Sequence, residues 1–462
     1  MSTYDLLLRG GTLVTINGSR QGDIAVADGR IVALDTEISG TAHEEIDAHG
    51  LHVMAGVIDS HVHFNEPGRN DWEGMATGSQ ALAAGGATMF CDMPLNSTPP
   101  TVNAENFERK VAAARAASCV DFALWGGLIP GNREQLAELA DKGVIGFKAF
   151  MSNSGIDDFP AVDDLTLYEG MAQAAQLGKI VAVHAEDERI TSALAQRALT
   201  QGRTGARDFV ASRPIIAELA AIERAILFAA ETGCALHIVH VSSGRGVSMV
   251  AQARACDIDV SCETCPHYLV LTEEDLETLG GIAKCAPPLR SHTEQNELWR
   301  HVQAGNVDFI ASDHSPAPLS MKCTANNFFQ IWGGISGCQS LLSLLITEGY
   351  AQHNIPLHEI SALTSFNVAQ RYQLPPHKGQ LAVNADADLV LIDLQQRHIL
   401  QAEDLFYRHP HSPYIGMPLR GQIVRTFVRG ITVFHNGQAS QQPIGQLITP
   451  IPSAVKKAET KL

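Results

Sequence analysis

Long apolar runs are missing from this sequence. No stretch approaches the roughly 18 consecutive apolar residues that a membrane-spanning helix needs, the longest candidates being short segments such as Leu341 to Ile346. Basic residues are scarce, 33 Lys+Arg against 50 Asp+Glu, for a formal net charge of −17. An acidic field of that size repels nucleic acid and anionic lipid, so neither is an expected partner. Met1 to Asp5 holds no basic segment leading into an apolar one, which argues against a secretory leader. A disulfide framework is lacking too, since nine cysteines are an odd number scattered over 462 residues. Cys262-Glu263-Thr264-Cys265 is a CxxC, but no second pair or His pair lies nearby, so neither a zinc knuckle nor a redox dithiol is expected from it. There is no G-x-S-x-G elbow to supply a nucleophilic serine. These absences point to a protein of the cytoplasm with reduced thiols. Thr460-Lys461-Leu462 departs by its Thr from a peroxisomal S-K-L signal.

What is present is a globular balance, 45% hydrophobic and 18% charged. The length suits one large barrel with appendages, or two to three ordinary domains. The first fifty residues read as short β segments, Asp5 to Arg9, Thr12 to Ile16, Asp23 to Ala27 and Arg30 to Leu34. Gly10-Gly11, Asn17-Gly18 and Asp28-Gly29 separate them as hairpin turns, because such dipeptides tolerate positive φ. The same texture returns at Ala387 to Asp393, Ile423 to Arg429 and Thr432 to His435, which predicts one small β domain built from both ends.

The middle alternates buried strands with Ala-rich helical stretches. Strands are expected at Val57 to His63, Thr88 to Met93, Asp121 to Trp125, Val144 to Phe150, Ile180 to His184, Leu236 to Val241, Ile258 to Cys262 and Asp308 to Asp313. Helices are expected at Ala104 to Ala117, Arg133 to Ala140, Leu165 to Leu177 and Ile215 to Ala230. Eight such strands suggest an α/β fold with a (β/α)8 TIM-like barrel, the competitor being an open doubly wound sheet. The expected division is 1–53 and 377–440 for the two parts of a β-sandwich, 54–376 for the barrel and 441–462 for a tail.

In a parallel barrel the C-terminal strand ends share one mouth, where chemistry is placed. Here that mouth collects His61 and His63, His184, His240 and Asp313, with Lys148 inside the apolar run Gly146-Phe147-Lys148-Ala149-Phe150. Alternate residues of a strand point the same way, so both imidazoles of His61-Val62-His63 can face the axis. Each residue alone has an ordinary explanation: a hydrogen-bonded histidine, a turn-capping aspartate, a lysine at an edge. Together, four His, one Asp and one Lys suit zinc or another divalent transition metal, and six candidates favour two ions over one.

These residues, starting with Asp59-Ser60-His61-Val62-His63, resemble the cyclic amidohydrolases, which include dihydroorotase, hydantoinase or dihydropyrimidinase, and allantoinase. The resemblance spans nearly the whole chain and includes a barrel flanked by a β-sandwich from both termini. Ala385-Asp386-Ala387-Asp388-Leu389-Val390 resembles the usual return into that sandwich. It implies that Lys148 is carboxylated by CO2 (N6-carboxylysine) and bridges two divalent ions, zinc first, with cobalt, manganese or iron as alternatives. His61, His63 and Asp313 would hold one ion, and His184 and His240 the other. A hydroxide shared by the ions would attack the ring carbonyl, with Asp313 as proton shuttle. A homo-oligomer, a tetramer by analogy, is implied as well.

Several loops are similar to the allantoinase branch: Glu66-Pro67-Gly68-Arg69, Trp72-Glu73-Gly74, Met93-Pro94-Leu95-Asn96 and Lys284-Cys285-Ala286-Pro287-Pro288-Leu289-Arg290. Cys262 to Tyr268, Ser312-Asp313-His314-Ser315-Pro316 and Trp332-Gly333-Gly334-Ile335 continue the match. Asn65 departs from dihydroorotases, which carry Arg there to pair with a substrate carboxylate, so a neutral ring such as allantoin fits better. Asn65, Asn96, Ala286 and Ser315 are the candidate substrate contacts; Asn96 has an Asx-turn as its alternative role. His267 and His314 are expected to support or pack loops rather than bind metal. The implied activity is metal-dependent opening of the allantoin ring to allantoate. The rivals are a hydantoinase, dihydropyrimidinase or dihydroorotase, and a scaffold relative that has lost its metals.

Overall fold

A computed structural model describes residues 3–323 and 327–451; the terminal Thr460-Lys461-Leu462 lies outside them. The N-terminal strands are β1 (Thr3–Thr15), β2 (Gly18–Ala27), β3 (Arg30–Asp35), β4 (Thr41–Asp47) and β5 (His52–Ala55). Asp28 and Gly29 both take positive φ, 51° and 75°, and close the β2–β3 hairpin as expected. Gly10-Gly11 does not make a turn. The pair is a bulge inside one long strand, where the β1–β2 register shifts between Leu8 and Gly11. The side chain of Asp23 holds the bulge by accepting from the Gly10 N–H at 2.8 Å, and so replaces the ladder bond that the extra residue forfeits. Before the bulge β1 pairs with β4, and after it with β5.

The middle of the chain supplies β6 (Val57–Val62), β7 (Ala87–Asp92), β8 (Asp121–Leu124), β9 (Gly126–Gly127), β10 (Gly146–Phe150), β11 (Ile180–His184), β12 (Leu236–Ile238), β13 (Val260–Thr264) and β14 (Phe309–Ile310). They form two parallel arcs, β6-β7-β8 and β14-β13-β12-β11-β10-β9. Single contacts join the arcs at both seams. Val62 bridges His314, with the His63 N–H donating to His314 O at 2.7 Å; on the other side the Ile145 N–H donates to Leu124 O at 3.0 Å. The barrel expectation holds, with three main departures: the sixth strand ends at Ile238, three residues short of Val241. The seventh strand starts two residues later than expected, which brings Glu263 into the ladder, and the eighth is only two residues long.

The helix Ala104–Ala117 shows how the outer layer serves the mouth. Asn103 caps it, accepting from the Asn106 N–H at 2.9 Å. Its inward face buries Phe107, Val111 and Lys110. Lys110 Nζ reaches Asp92 Oδ2 at 2.5 Å and Met93 O at 2.7 Å, and so pins the loop after β7. The helix expected from Arg133 begins as a 3-10 turn, Arg133–Gln135, before Leu136–Lys142. No helix among the described residues is long and apolar enough to cross a membrane.

The chain then returns through β15 (Leu389–Ile399), β16 (Pro418–Val428), β17 (Ile431–His435) and β18 (Gln438–Ala439). β15 pairs antiparallel with β5, so both ends of the chain share one nine-stranded sheet. Leu6, Leu13, Ile24, Val53, Leu389 and Phe427 are buried together in its core. A charged pin joins this sheet to the barrel. Buried Lys378 meets Asp121 at 2.5 Å, Asp388 at 2.7 Å and Asp386 at 2.8 Å, and Arg429 also pairs with Asp121. The two aspartates of Ala385-Asp386-Ala387-Asp388 are thus two of the three carboxylates in this junction. Lys378→Met leaves three buried carboxylates with only Arg429 on Asp121 and the more exposed Arg30 on Asp386, and is expected to lower stability by about 3–5 kcal/mol. Chemical denaturation of the variant checks this.

Candidate metal centre

His61 and His63 lie on alternate positions at the end of β6, and both face the barrel axis. His61 Nε2 stands 3.2 Å from Asp313 Oδ1, and His63 Nε2 3.5 Å from the same oxygen. Ligand atoms of these three residues all lie within 4.8 Å of one another. His240 and Asp313 are supplied by turns just after β12 and β14, not by the strand ends themselves. Both take left-handed backbone, φ 40° and 46°, as do Asn65 and Asn96. Non-glycine residues held there cost roughly 1–3 kcal/mol each and concentrate at functional sites.

Two carboxylates that the sequence reading did not single out fix the imidazoles. Glu263, fully buried on β13, lies 2.5 Å from His61 Nδ1 and accepts from Ser60 Oγ at 2.9 Å. His237 Nε2 is 3.4 Å from its other oxygen. Glu186 lies 3.0 Å from His184 Nε2 and also binds Arg213. Each carboxylate accepts only from a protonated ring nitrogen, so the protons sit on His61 Nδ1 and His184 Nε2. The lone pairs of His61 Nε2 and His184 Nδ1 are left facing inward. His184 Nδ1 meets His240 Nε2 at 3.1 Å.

Burial is the first influence on every group here. It lowers His61, His184 and His240, keeping the imidazoles neutral and available as ligands. Burial alone would raise the acids. Instead His61 and His63 hold Asp313 below the usual carboxylate range, His61 and His237 do the same for Glu263, and Arg213 and His184 bring Glu186 down to about 2. Lys148, on β10, is pushed down to about 7 by burial, against the pull of Glu263 and Asp313. Its Nζ has no hydrogen-bond partner among the described residues. That is the setting in which a lysine amine is neutral and nucleophilic at ordinary pH.

These observations test whether the residues fit divalent ions. The ligand atoms of His61, His63 and Asp313 converge within 4.8 Å, with the inward lone pair of His61 and the Asp313 carboxylate facing the same point, and a lysine shifted toward neutrality and a second imidazole pair stand alongside. A cation is what such a donor set lacks. The residues fit.

The mouth opens into a cavity of about 680 Å³ whose wall includes His61, His63, His184, His240 and Asp313. Asn96, Ala286 and Ser315 also line it, and Asn96 Nδ2 donates to Ser315 Oγ at 3.3 Å. Asn65 is not brought to this wall; it is buried, with Nδ2 donating to Pro316 O at 3.3 Å. Arg69 reaches Asn96 O at 2.6 Å. His314 turns away from the cluster, accepting from the Gly337 N–H at 3.1 Å, with its other nitrogen 3.6 Å from Glu73. His267 is buried with both ring nitrogens unpartnered among the described residues. Glu263 lies one residue past the strand expected from the sequence, Ile258 to Cys262, which already carries Asp259, so no local signal separated it.

A family profile described as "Amidohydrolase family" matches residues 52–433. This chain belongs to the amidohydrolase family. It is 55% identical over 450 residues to a curated relative from Rubrobacter xylanophilus named allantoinase, covering 97% of this chain and 98% of that one. A relative of the same name from Solibacter usitatus is 55% identical over 446 residues, covering 96% and 97%. The solved structure of the L-hydantoinase (dihydropyrimidinase) from Arthrobacter aurescens superposes with a TM-score of 0.94 at 34% identity, covering 96% of this chain and 100% of that one. The likeness to that enzyme fits the barrel-and-sandwich architecture, and family membership agrees with a metal-binding His-His-Asp cluster.

Glu263→Gln keeps an acceptor for His61 but removes the charge behind it. The variant is expected to bind divalent metal 10–100-fold more weakly in chelator competition; native affinity would show that the carboxylate does not tune the site.

Proposed function

We propose that this chain hydrolyses the ring amide of allantoin to give allantoate, a step of urate breakdown. The observation that carries the proposal is the set His61, His63, His184, His240 and Asp313 lining the cavity, with buried Lys148 within the field of Asp313, in a chain so similar to relatives named allantoinase. The barrel of residues 54–376 carries the chemistry, and the flanks 1–53 and 377–440 support it. His61, His63 and Asp313 would hold one divalent ion and His184 and His240 the second, with Lys148, once carboxylated by CO2, as a further ligand. Zinc is the first choice for these ligands, with cobalt, manganese or iron as alternatives. Bound there, such ions supply acidity to water and polarise a carbonyl.

The chain's own residues do the rest. Asp313 is ionised and sits at the cavity floor, so its carboxylate accepts the proton of the attacking water and passes it to the ring nitrogen as the C–N bond breaks. Asn96 and Ser315 offer an amide and a hydroxyl to the polar edge of the ring, and Ala286 its backbone. Arg213 is bound to Glu186 and Arg69 to Asn96 O, which leaves both engaged and favours a neutral ring over an anionic one. The nine cysteines are all free thiols, which supports a reducing compartment, the cytoplasm. A homo-oligomer, tetrameric by family analogy, is part of this reading. The likeness to the Arthrobacter hydantoinase favours a second reading, hydrolysis of a substituted hydantoin or dihydropyrimidine.

Turnover of allantoin, hydantoin, dihydrouracil and dihydroorotate by the purified, metal-loaded protein separates these readings. Fast opening of allantoin alone is expected; activity confined to another ring would overturn the assignment. Asp313→Asn is expected to lose several orders of magnitude in kcat, because an amide cannot relay the proton. A near-native rate would remove Asp313 from that role.

A further inference from the structure

Two lysines that the reaction does not use are buried beside the cavity. Lys284 and Lys322 are 4% and 2% exposed, and neither pairs with a carboxylate among the described residues. A buried ammonium is costly unless acceptors surround it. Here the acceptors are backbone carbonyls of one short segment. Lys284 Nζ donates to Phe328 O at 2.8 Å and to Ile331 O, with Phe329 O at 3.4 Å. Lys322 Nζ donates to Trp332 O at 3.1 Å and to Gly334 O. Burial brings both amines down to about 7, so the clamp is made of groups for which these carbonyls are the main compensation.

The same segment is tied in at its backbone. The Gly334 N–H donates to Lys284 O at 2.7 Å, and the Trp332 N–H to Met321 O at 3.1 Å. Gly334 has φ 131°, and a Cβ there would lie 2.3 Å from Ser315 O, so only glycine allows the close approach. The sequence motifs Lys284-Cys285-Ala286 and Trp332-Gly333-Gly334 are therefore two sides of one structure. The other side of the segment is cavity wall. Phe329, Ile331 and Trp332 line the space that His61, His184 and Asp313 also line. Trp332 packs edge-on against Trp72 at 4.8 Å, and its indole N–H is buried without an acceptor among the described residues.

We propose that Lys284 and Lys322 are positioning residues that fix the wall Phe328–Gly334, and that this wall selects the substituent carried by the ring. The inference rests on the cavity being the substrate site, as proposed above. With the scissile carbonyl at the histidines, the substituent is the part of the substrate left to meet the wall. The flat side chains of Phe329 and Trp332, with Ile331 between them in sequence, suit a planar arm lying against the wall, such as the ureido group of allantoin.

The test uses Lys284→Met and Lys322→Met in the full-length, metal-loaded protein. KM for allantoin is expected to rise tenfold or more, with kcat falling by less than KM rises and metal content retained. Backbone hydrogen exchange is expected to quicken over residues 328–334 but not in β10 or β11. Native KM and native exchange would overturn the proposal, as would a parallel loss of kcat and metal, the mark of general destabilisation. Should the methionine variants fail to fold, Ile331→Ala and Trp332→Phe read the wall directly; an unchanged KM in both would overturn its role in selection. If the unmodified protein does not open allantoin, the substrate reading fails and with it the selection of that arm, while exchange in the lysine variants still decides whether the clamp exists.

Discussion

His61 Nε2, His63 Nε2 and Asp313 Oδ1 face one another at 3.2 to 3.5 Å in a pocket that water barely reaches. The inward lone pair of His61 and the Asp313 carboxylate repel at that distance. A positive ion resolves the arrangement, and much of the barrel mouth serves to keep it in place. Glu263 and Glu186 fix the ring tautomers from behind. The turns after β12 and β14 accept left-handed backbone to aim His240 and Asp313. Lys110 and Asp92 hold down the loop that carries Asn96.

The same logic of buried charge extends outward in two further shells, with different solutions. At the junction with the β domain, Lys378 and Arg429 meet three aspartates, so opposite charges satisfy one another. At the cavity rim, Lys284 and Lys322 have no such partners and lean on carbonyl dipoles. The first solution suits a permanent joint. The second ties a lysine to backbone geometry, so the wall and the charges that hold it are mutually dependent.

Much of this was legible in the sequence, for identifiable reasons. His61 and His63 stood out because a strand has a period of two, and Lys148 because a lone charge interrupts an apolar run. Strand positions followed from β-branched and apolar segments alternating with alanine-rich ones. Gly10-Gly11 was misread as a turn because a glycine pair signals positive φ without revealing whether the chain reverses or merely bulges. Asn65 was expected at the substrate, but the left-handed turn at its own position buries it against Pro316, which no local pattern announces. Glu263, Glu186 and the two lysines escaped notice because their importance lies in contacts with residues distant in sequence: Glu263 and His61 are 202 positions apart.

The central claim is that this mouth holds two divalent ions and that Lys148 is needed for the pair. Elemental analysis of metal bound per chain, in the unmodified protein and in Lys148→Ala, tests it most directly. The account predicts two ions per chain in the first and one or none in the second, at equal folded fraction. Two ions retained by Lys148→Ala, or no bound metal in the unmodified protein, would contradict it.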